Sequence, residues 1–415
     1  MKKILITLTI PLLLMAQSFL ISNVALPNTS IQNLDPYPCD GDCLMELIDN
    51  EQIFSFLAHT EDVMEDMKIE QLRKQYLSEL QMKEIISNTK LKIALLLPYK
   101  KIGRYAASTT NASFAYLISK NRPFELKSYN IEYENIEEIS KALEQIEDDG
   151  FTYVIAPLTQ MGENIVSSLN PDINIFFPTV NKKDSTSTSP YLYYGGIDYR
   201  AQSDLLLKEA SSPLVIFYDK SAIGNSLSSY QEEQFKKTED TNNSLFQNKY
   251  MYDQPIEKSV VKFQIPKRTT NLEKQLKENE NINEGSFFVN TPIIKSGMII
   301  SQLTLYDTNA TNVLSTQTNY NPLILSMTQY HDRKNMLIAN SITQHKDVII
   351  ETNSLLGNDI VYDWINYTTT IGIDYFFSEL KGEQRDYDIK LVDNQMIYDI
   401  QLIKPSVSRF ITYSQ

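Results

Sequence analysis

Three near-continuous apolar runs set what this chain can fold into: Leu91-Lys92-Ile93-Ala94-Leu95-Leu96-Leu97-Pro98, Phe151-Thr152-Tyr153-Val154-Ile155-Ala156-Pro157-Leu158 and Ile173-Asn174-Ile175-Phe176-Phe177-Pro178. A strand with one wet face alternates apolar and polar residues. A strand apolar on both faces belongs to a parallel sheet covered on both sides. Helical spacings fill the intervals between the runs, so the predicted class is α/β.

The order of elements extends this reading. Lobe 1 is predicted as strand 91–98, helix 106–120, strand 124–129, helix 136–148, strand 151–157, helix 161–169 and strand 173–178. Asn181 to Pro190, with Lys-Lys-Asp-Ser-Thr-Ser-Thr-Ser, reads as a polar connector. A crossing helix at 198–210 and a strand at 213–218 open a second lobe. Further strands are expected at 249–252, 286–290 and 323–326, and the charged stretch 269–285 reads as a solvated helix and loop. The expected division is a segment 1–18, a region 19–90 and a two-lobed domain 91–415. Lobe 1 takes about 91–197 with part of 346–385, and lobe 2 about 198–345 with the C-terminal returns.

Lys2 and Lys3 precede an apolar run from Ile4 to Met15, and Ala16-Gln17-Ser18 supplies the small residues of a cleavage site. This pattern is a secretory signal, too short for a comfortable membrane span. The expectation is a periplasmic protein with no transmembrane segment in its mature part. A lipoprotein would carry Cys directly after the run, whereas the first Cys is Cys39. The formal net charge of −14 becomes −16 without the two signal lysines, which argues against nucleic acid and anionic membranes as partners.

Only two cysteines occur, in Pro38-Cys39-Asp40-Gly41-Asp42-Cys43. In an exported chain they most simply form one disulfide, Cys39 to Cys43. The alternative is a metal site with Asp40 and Asp42, which lacks the N and S ligands zinc prefers. Leu44, Leu47, Ile48 and then Ile69, Leu72, Tyr76 and Leu80 follow at helical spacing. So short a segment supports little core of its own. Its stripe therefore either docks on the main domain or serves a partner. Residues 19–37 read as a flexible leader.

The wording of the strands adds a resemblance. Ile93-Ala94-Leu95-Leu96-Leu97-Pro98, Ile155-Ala156-Pro157-Leu158, Tyr193-Tyr194-Gly195-Gly196, Phe217-Tyr218-Asp219 with Gly224, and Gly372-Ile373-Asp374-Tyr375 in a late helix follow one another as in type I periplasmic-binding domains. Tyr375 stands where that pattern has Ala. In flavour the order resembles the C-terminal domain of the outer-membrane lipoprotein activators of peptidoglycan synthase. The resemblance implies two lobes facing each other across a cleft, with ligands beyond the carboxyl ends of the strands. It marks Tyr99, Lys100, Arg104, Thr159, Gln160, Thr179, Asn181, Asp219 and Thr291 as candidate ligand contacts, each of which also reads as an ordinary loop residue.

The same resemblance exposes a departure. Amino-acid receptors of this fold carry a Ser-Thr cluster after the third strand for the ligand carboxylate and an acid in lobe 2 for its ammonium. Here Leu158-Thr159-Gln160-Met161-Gly162 offers one hydroxyl, and Asn290-Thr291-Pro292 offers no acid. Catalysis finds no footing either. His59, His331 and His345 lie apart from any nucleophile pattern, there is no phosphate loop or metal motif, and Asp148-Asp149 and Glu137-Glu138 read as solvated helix faces. No cofactor is expected. Asp240-Thr241-Asn242-Asn243-Ser244 and Asp307-Thr308-Asn309-Ala310-Thr311 match an acidic bacterial N-glycosylation sequon, which needs an exposed loop and also arises by chance.

The expected function is that of a non-enzymatic exported scaffold or regulatory partner in the bacterial envelope, in peptidoglycan synthesis or a flagellar-type machine. The alternative is a periplasmic receptor for a small solute such as an amino acid or peptide.

Overall fold

The computed structural model describes residues 37–60, 64, 66–79, 90–245 and 259–414. The expected signal, most of the leader and the predicted strand at 249–252 lie outside them.

In lobe 1, β1 (Leu91–Pro98), β2 (Phe124–Ile131), β3 (Tyr153–Ile155), β4 (Asn174–Phe177) and β5 (Leu192–Tyr194) form a parallel sheet in the order β2-β1-β3-β4-β5. In lobe 2, β6 (Leu214–Tyr218), β7 (Val260–Gln264), β8 (Ser286–Asn290), β9 (Asn312–Ser315) and β10 (Met336–Asn340) repeat it as β7-β6-β8-β9-β10. The last strands are shared out. β11 (Lys390–Val392) and β12 (Gln395–Ile397) extend the first sheet beyond β5, while β13 (Gln401–Pro405) and β14 (Phe410–Thr412) extend the second beyond β10.

Strand β1 shows why the apolar runs were needed. Leu91, Ile93, Leu95 and Leu97 enter one core and Ala94 and Leu96 the other, so both faces are dry. In β6, Val215 and Phe217 face one side, Leu214 and Ile216 the other. The late helix Trp364–Lys381 covers lobe 1 beside the helix Arg104–Ser119. Asp363 caps it by accepting from the N–H groups of Ile365 and Asn366, and Gly382, at φ +62°, ends it in the left-handed conformation that suits glycine. Its Gly372 lies flat on the Phe176 ring, where a Cβ would come within 2.3 Å of Phe176 Cδ1.

Fully buried Asp374, on this helix, ties down the segment that follows. It accepts from Tyr116 Oη at 2.8 Å, from Arg385 Nε at 3.0 Å and from the backbone N–H of Asp386 at 2.7 Å. Tyr375 packs on Tyr193 with ring centroids 5.3 Å apart, so the residue that departs from the family pattern fills space over β5.

Three expectations need correction. The predicted strand 323–326 is the helix Leu323–Met327: Pro322 precedes it, Asn321 Oδ1 accepts from the Leu323 N–H, and only Ile324 is buried. The central positions of the second sheet go to β9 and β10, whose short runs were not singled out. The stretch 269–285 is not simply solvated, because Leu272, Leu276 and Ile282 anchor it in the lobe 2 core. Finally, helices Gly41–Asp49, Ile53–His59 and Met67–Glu79 close on one another around Leu44, Phe56, Leu57, Ile69 and Leu77, a cluster separate from those of the lobes. Two staples make so small a core workable. Cys39 and Cys43 form the disulfide at the first helix, whose cap is Asp40, and buried Arg73 donates to both carboxylate oxygens of Glu70 at 2.9 Å.

Candidate binding cleft

A cleft of about 520 Å³ lies between the lobes. Lobe 1 contributes Ile102, Tyr105, Leu158, Thr159, Gln160, Thr179 and Asn181; the crossing chain contributes Asp198, Tyr199, Arg200 and Trp364; lobe 2 contributes Ile223, Leu227 and Tyr230. Four of the predicted residues, Thr159, Gln160, Thr179 and Asn181, thus come together. Tyr99, Arg104, Asp219 and Thr291 do not line the cavity.

Most of the polar groups that line it are engaged by the protein itself, whereas exposed Lys101, also in its wall, has no carboxylate partner among the described residues. Glu134 sits buried beneath the third-strand loop: its Oε1 accepts from the Thr159 N–H at 2.7 Å and its Oε2 from the Thr159 hydroxyl. The carboxylate lies against Gly162, in the first turn of the helix Gln160–Leu169, where an added Cβ would be 2.9 Å from Glu134 Cδ. An anion therefore already occupies the start of that helix, where N–H groups and the helix dipole favour negative charge. The Thr159 hydroxyl, its proton directed at Glu134, has only lone pairs left for the cleft.

The neighbours repeat the pattern. Gln160 Nε2 donates to the Asp184 carbonyl, the Thr179 hydroxyl to the Leu158 carbonyl, and Asn181 Nδ2 to the Gly196 carbonyl at 2.8 Å. Arg200 pairs with Asp184 at 2.8 Å and Lys183 with Asp198 at 2.5 Å. In lobe 2, Thr291 is buried and shares a hydrogen bond with Ser296 at 2.9 Å, while Asn290 donates to Gln231 Oε1 at 2.7 Å. Asp219 accepts from Ser221 in its own turn. Outside the cavity, Tyr99 donates to Glu132 at 2.9 Å, Lys100 pairs with the same carboxylate, and Arg104 lies 5.1 Å over the Tyr105 ring.

Aromatic rings are left facing the space. Tyr199 and Trp364 meet edge to face at 6.4 Å, with Tyr105 and Tyr230 on the same walls. Burial raises the Tyr199 phenol above its ordinary value, with the Tyr105 and Asp363 groups adding to the effect, so it stays neutral. Burial likewise raises the Asp363 carboxyl, against the two N–H groups it caps. Sequence reasoning missed these rings and Glu134. Trp364 is the sole tryptophan, and Tyr199-Arg200 opens the predicted crossing helix 198–210, which was the available signal. Of the sequons, Asn309 is exposed in the connection between the helix Ile293–Leu305 and β9, whereas Asn242 falls on the last turns of the helix Ala222–Leu245, where only the backbone is described.

Two equally ordered parallel sheets, joined by crossing chains over a cleft at their carboxyl ends, make this a type I periplasmic-binding fold. Solved structures agree. The leucine-binding protein LivK of Thermotoga maritima superposes with a TM-score of 0.54 at 11% identity, covering 78% of this chain and 98% of that one. LivJ of Streptococcus pneumoniae, a branched-chain amino acid transporter substrate-binding protein in complex with isoleucine, gives 0.55 at 9%, covering 78% and 100%. LpoA of Haemophilus influenzae, a lipoprotein activator of peptidoglycan synthase, gives 0.50 at 9%, covering 90% and 73%. No protein-family model and no curated protein sequence matches the chain. No helix among the described residues is long and apolar enough to cross a membrane.

Proposed function

We propose that this chain is an exported, non-enzymatic scaffold or regulatory partner of a bacterial envelope assembly, in peptidoglycan synthesis or a flagellar-type machine, using a binding fold without an amino-acid receptor's site. The observation that carries the reading is Glu134. Its carboxylate takes the donors that would hold an amino acid's carboxylate, and an anion arriving at the Thr159 loop would meet like charge and lone pairs. The cover of LpoA supports it further. Residues 91–415 amount to about 78% of the chain, so a match over 90% extends into the N-terminal region, as the receptor matches need not.

The open volume and its Tyr and Trp walls favour a second reading, a receptor for a small uncharged solute, with Thr159, Gln160, Thr179 and Asn181 as its polar edge. Thermal-shift screens separate the two, because a ligand that binds only the folded state raises its stability by mass action. The scaffold reading expects no saturable shift with amino acids, short peptides or sugars, and co-purification of an envelope protein. A micromolar, saturable shift for one solute, abolished by Thr159→Ala, decides for the receptor.

A further inference from the structure

The chain crosses between the lobes at 195–198, 341–346 and 398–400. Halves connected only by such crossings can rotate about them as rigid bodies. Here lobe 1 also reaches lobe 2 through a loop that belongs to none of the three. Residues 356–363 lead from the helix Asp347–Leu355, which packs beside the helix Arg104–Ser119 of lobe 1, into the late helix Trp364–Lys381.

Tyr362, in that loop, packs against two rings of lobe 2. Tyr320, in the connection from β9 to β10, lies 5.0 Å from it between centroids, and Phe410 of β14 lies 6.0 Å away, the two being 5.0 Å from each other. Two residues on, Trp364 meets Tyr199 edge to face at 6.4 Å, and Tyr199 opens the helix Tyr199–Leu207, which packs on β9 and β10. Ile360 of the same loop is buried in one apolar cluster that takes in Phe176 of β4 and Phe287 of β8. Both sides of the contact are braced. The Asp359 carboxylate accepts from the N–H groups of Val361 and Tyr362 at 2.8 and 3.0 Å, its carbonyl accepts from Asn366 Nδ2 at 2.7 Å, and Asp363 caps the helix between the two rings. In lobe 2, fully buried Asn319, next to Tyr320, donates to the Ser315 hydroxyl at 2.8 Å and to the Val289 carbonyl at 3.1 Å.

We propose that Tyr362 and Trp364 are the two prongs of a clamp that fixes the lobes relative to each other, so that the cleft is a receptacle of constant width and not a trap that closes on its occupant. Packed interiors have no slack, and a gap of about 0.5–1 Å forfeits a quarter to a half of a contact's attraction. A rotation that narrowed the cleft would part Tyr362 from Tyr320 and Phe410 and Trp364 from Tyr199, and would open the cluster around Ile360. Trp364 lines the cleft and Tyr362 does not, so one prong stands in its wall and the other behind it. The clamp holds under either reading of function: a scaffold offers its partner one unchanging face, and a receptor binds its solute without moving its lobes.

Double electron–electron resonance on the whole chain, its disulfide intact, tests this. Both native cysteines are paired, so spin labels attach only at introduced ones: Tyr133→Cys in lobe 1 with Ile294→Cys in lobe 2, exposed beyond the carboxyl ends of β2 and β8. Ile294→Cys with Leu305→Cys, at the two ends of the helix Ile293–Leu305, is the control within one lobe. The inter-lobe distance distribution should be single and at most about 1.5 times as broad as the control. The pair of changes Tyr362→Ala and Trp364→Ala should double that breadth or move its mean by about 5 Å or more, with the control unchanged. Tyr362→Leu and Phe410→Leu, which keep the space filled and remove one ring each, carry the test where the double variant does not fold, and each should broaden the distribution by about 1.3-fold or more. A parent distribution that is bimodal or broader than that limit overturns the proposal, and so do folded clamp variants that keep the parent's distribution.

Discussion

Replacing Glu134 by Ala tests whether its carboxylate acts as a built-in substitute for a ligand's. In the parent protein it receives a backbone N–H at 2.7 Å and a hydroxyl, both from Thr159. Hydrogen bonds to a charged partner contribute about 1.5–3 kcal/mol each when buried. Thr159 is only half-buried at the cleft wall, so water recovers part of the loss, and a net cost of about 2 kcal/mol is expected for Glu134→Ala. For a domain of this size that lowers the melting temperature by roughly 4 °C. The vacated space beside Gly162 should then accept a small free carboxylate. With 100 mM acetate and a dissociation constant of about 10 mM, mass action returns about 1.4 kcal/mol, or roughly 3 °C. Differential scanning fluorimetry of both proteins in acetate and in chloride of equal ionic strength provides the readout. Acetate should stabilise the variant and leave the parent unchanged. A variant that melts within about 1 °C of the parent, or gains no more from acetate than from chloride, refutes the reasoning.

Asp374→Ala removes the partner of Arg385 and the acceptor for Tyr116 and the Asp386 N–H. Breaking such a buried pair should cost about 3–5 kcal/mol in urea denaturation. Gly372→Ala forces a methyl against Phe176 and should cost about 1–3 kcal/mol in the same assay, with Glu379→Ala at an exposed position of the same helix far milder. The Arg73 hydrogen bonds, helped by the Met64 N–H, hold the Glu70 carboxyl down at about 2. A carboxylate with a lowered folded-state pKa stabilises above its unfolded pKa of about 4.5 and loses that contribution as pH falls through its folded value. The hydrogen-exchange protection factors of residues 41–77, with the intrinsic pH dependence of exchange divided out, should therefore fall between about pH 4.5 and 2, and Glu70→Gln should flatten this dependence.

The fold was legible where strands are dry on both faces. Strands β1, β3, β4, β6 and β8 announce themselves by composition, because a central parallel strand is covered on both faces and is apolar at most positions. Strand β9, with Val313 and Leu314 as its only apolar residues, is too short for that signal, and the run at Leu323 carries enough Leu and Ile to imitate a strand. The site was legible by position alone. Counting to the strand ends found Thr159, Gln160, Thr179 and Asn181, but nothing in Glu134's surroundings reveals that it reaches 25 residues along the chain to Thr159. Side chains that satisfy one another and side chains waiting for a ligand look alike in a sequence.

The chain visits the first sheet, leaves for the second, and returns to lay β11 and β12 beside β5 before ending in β13 and β14. Neither half is a contiguous segment. The Phe176 ring, on β4, rests against Gly372, and β5 waits for Gln395 to become its neighbour. A ribosome that has delivered residues 91–197 has delivered an unfinished sheet with an open edge, and domains that fold as they emerge need all of their parts. Closure of both halves must therefore wait until the strands β11 to β14 have been made, and until then each sheet presents an edge that another strand could pair with.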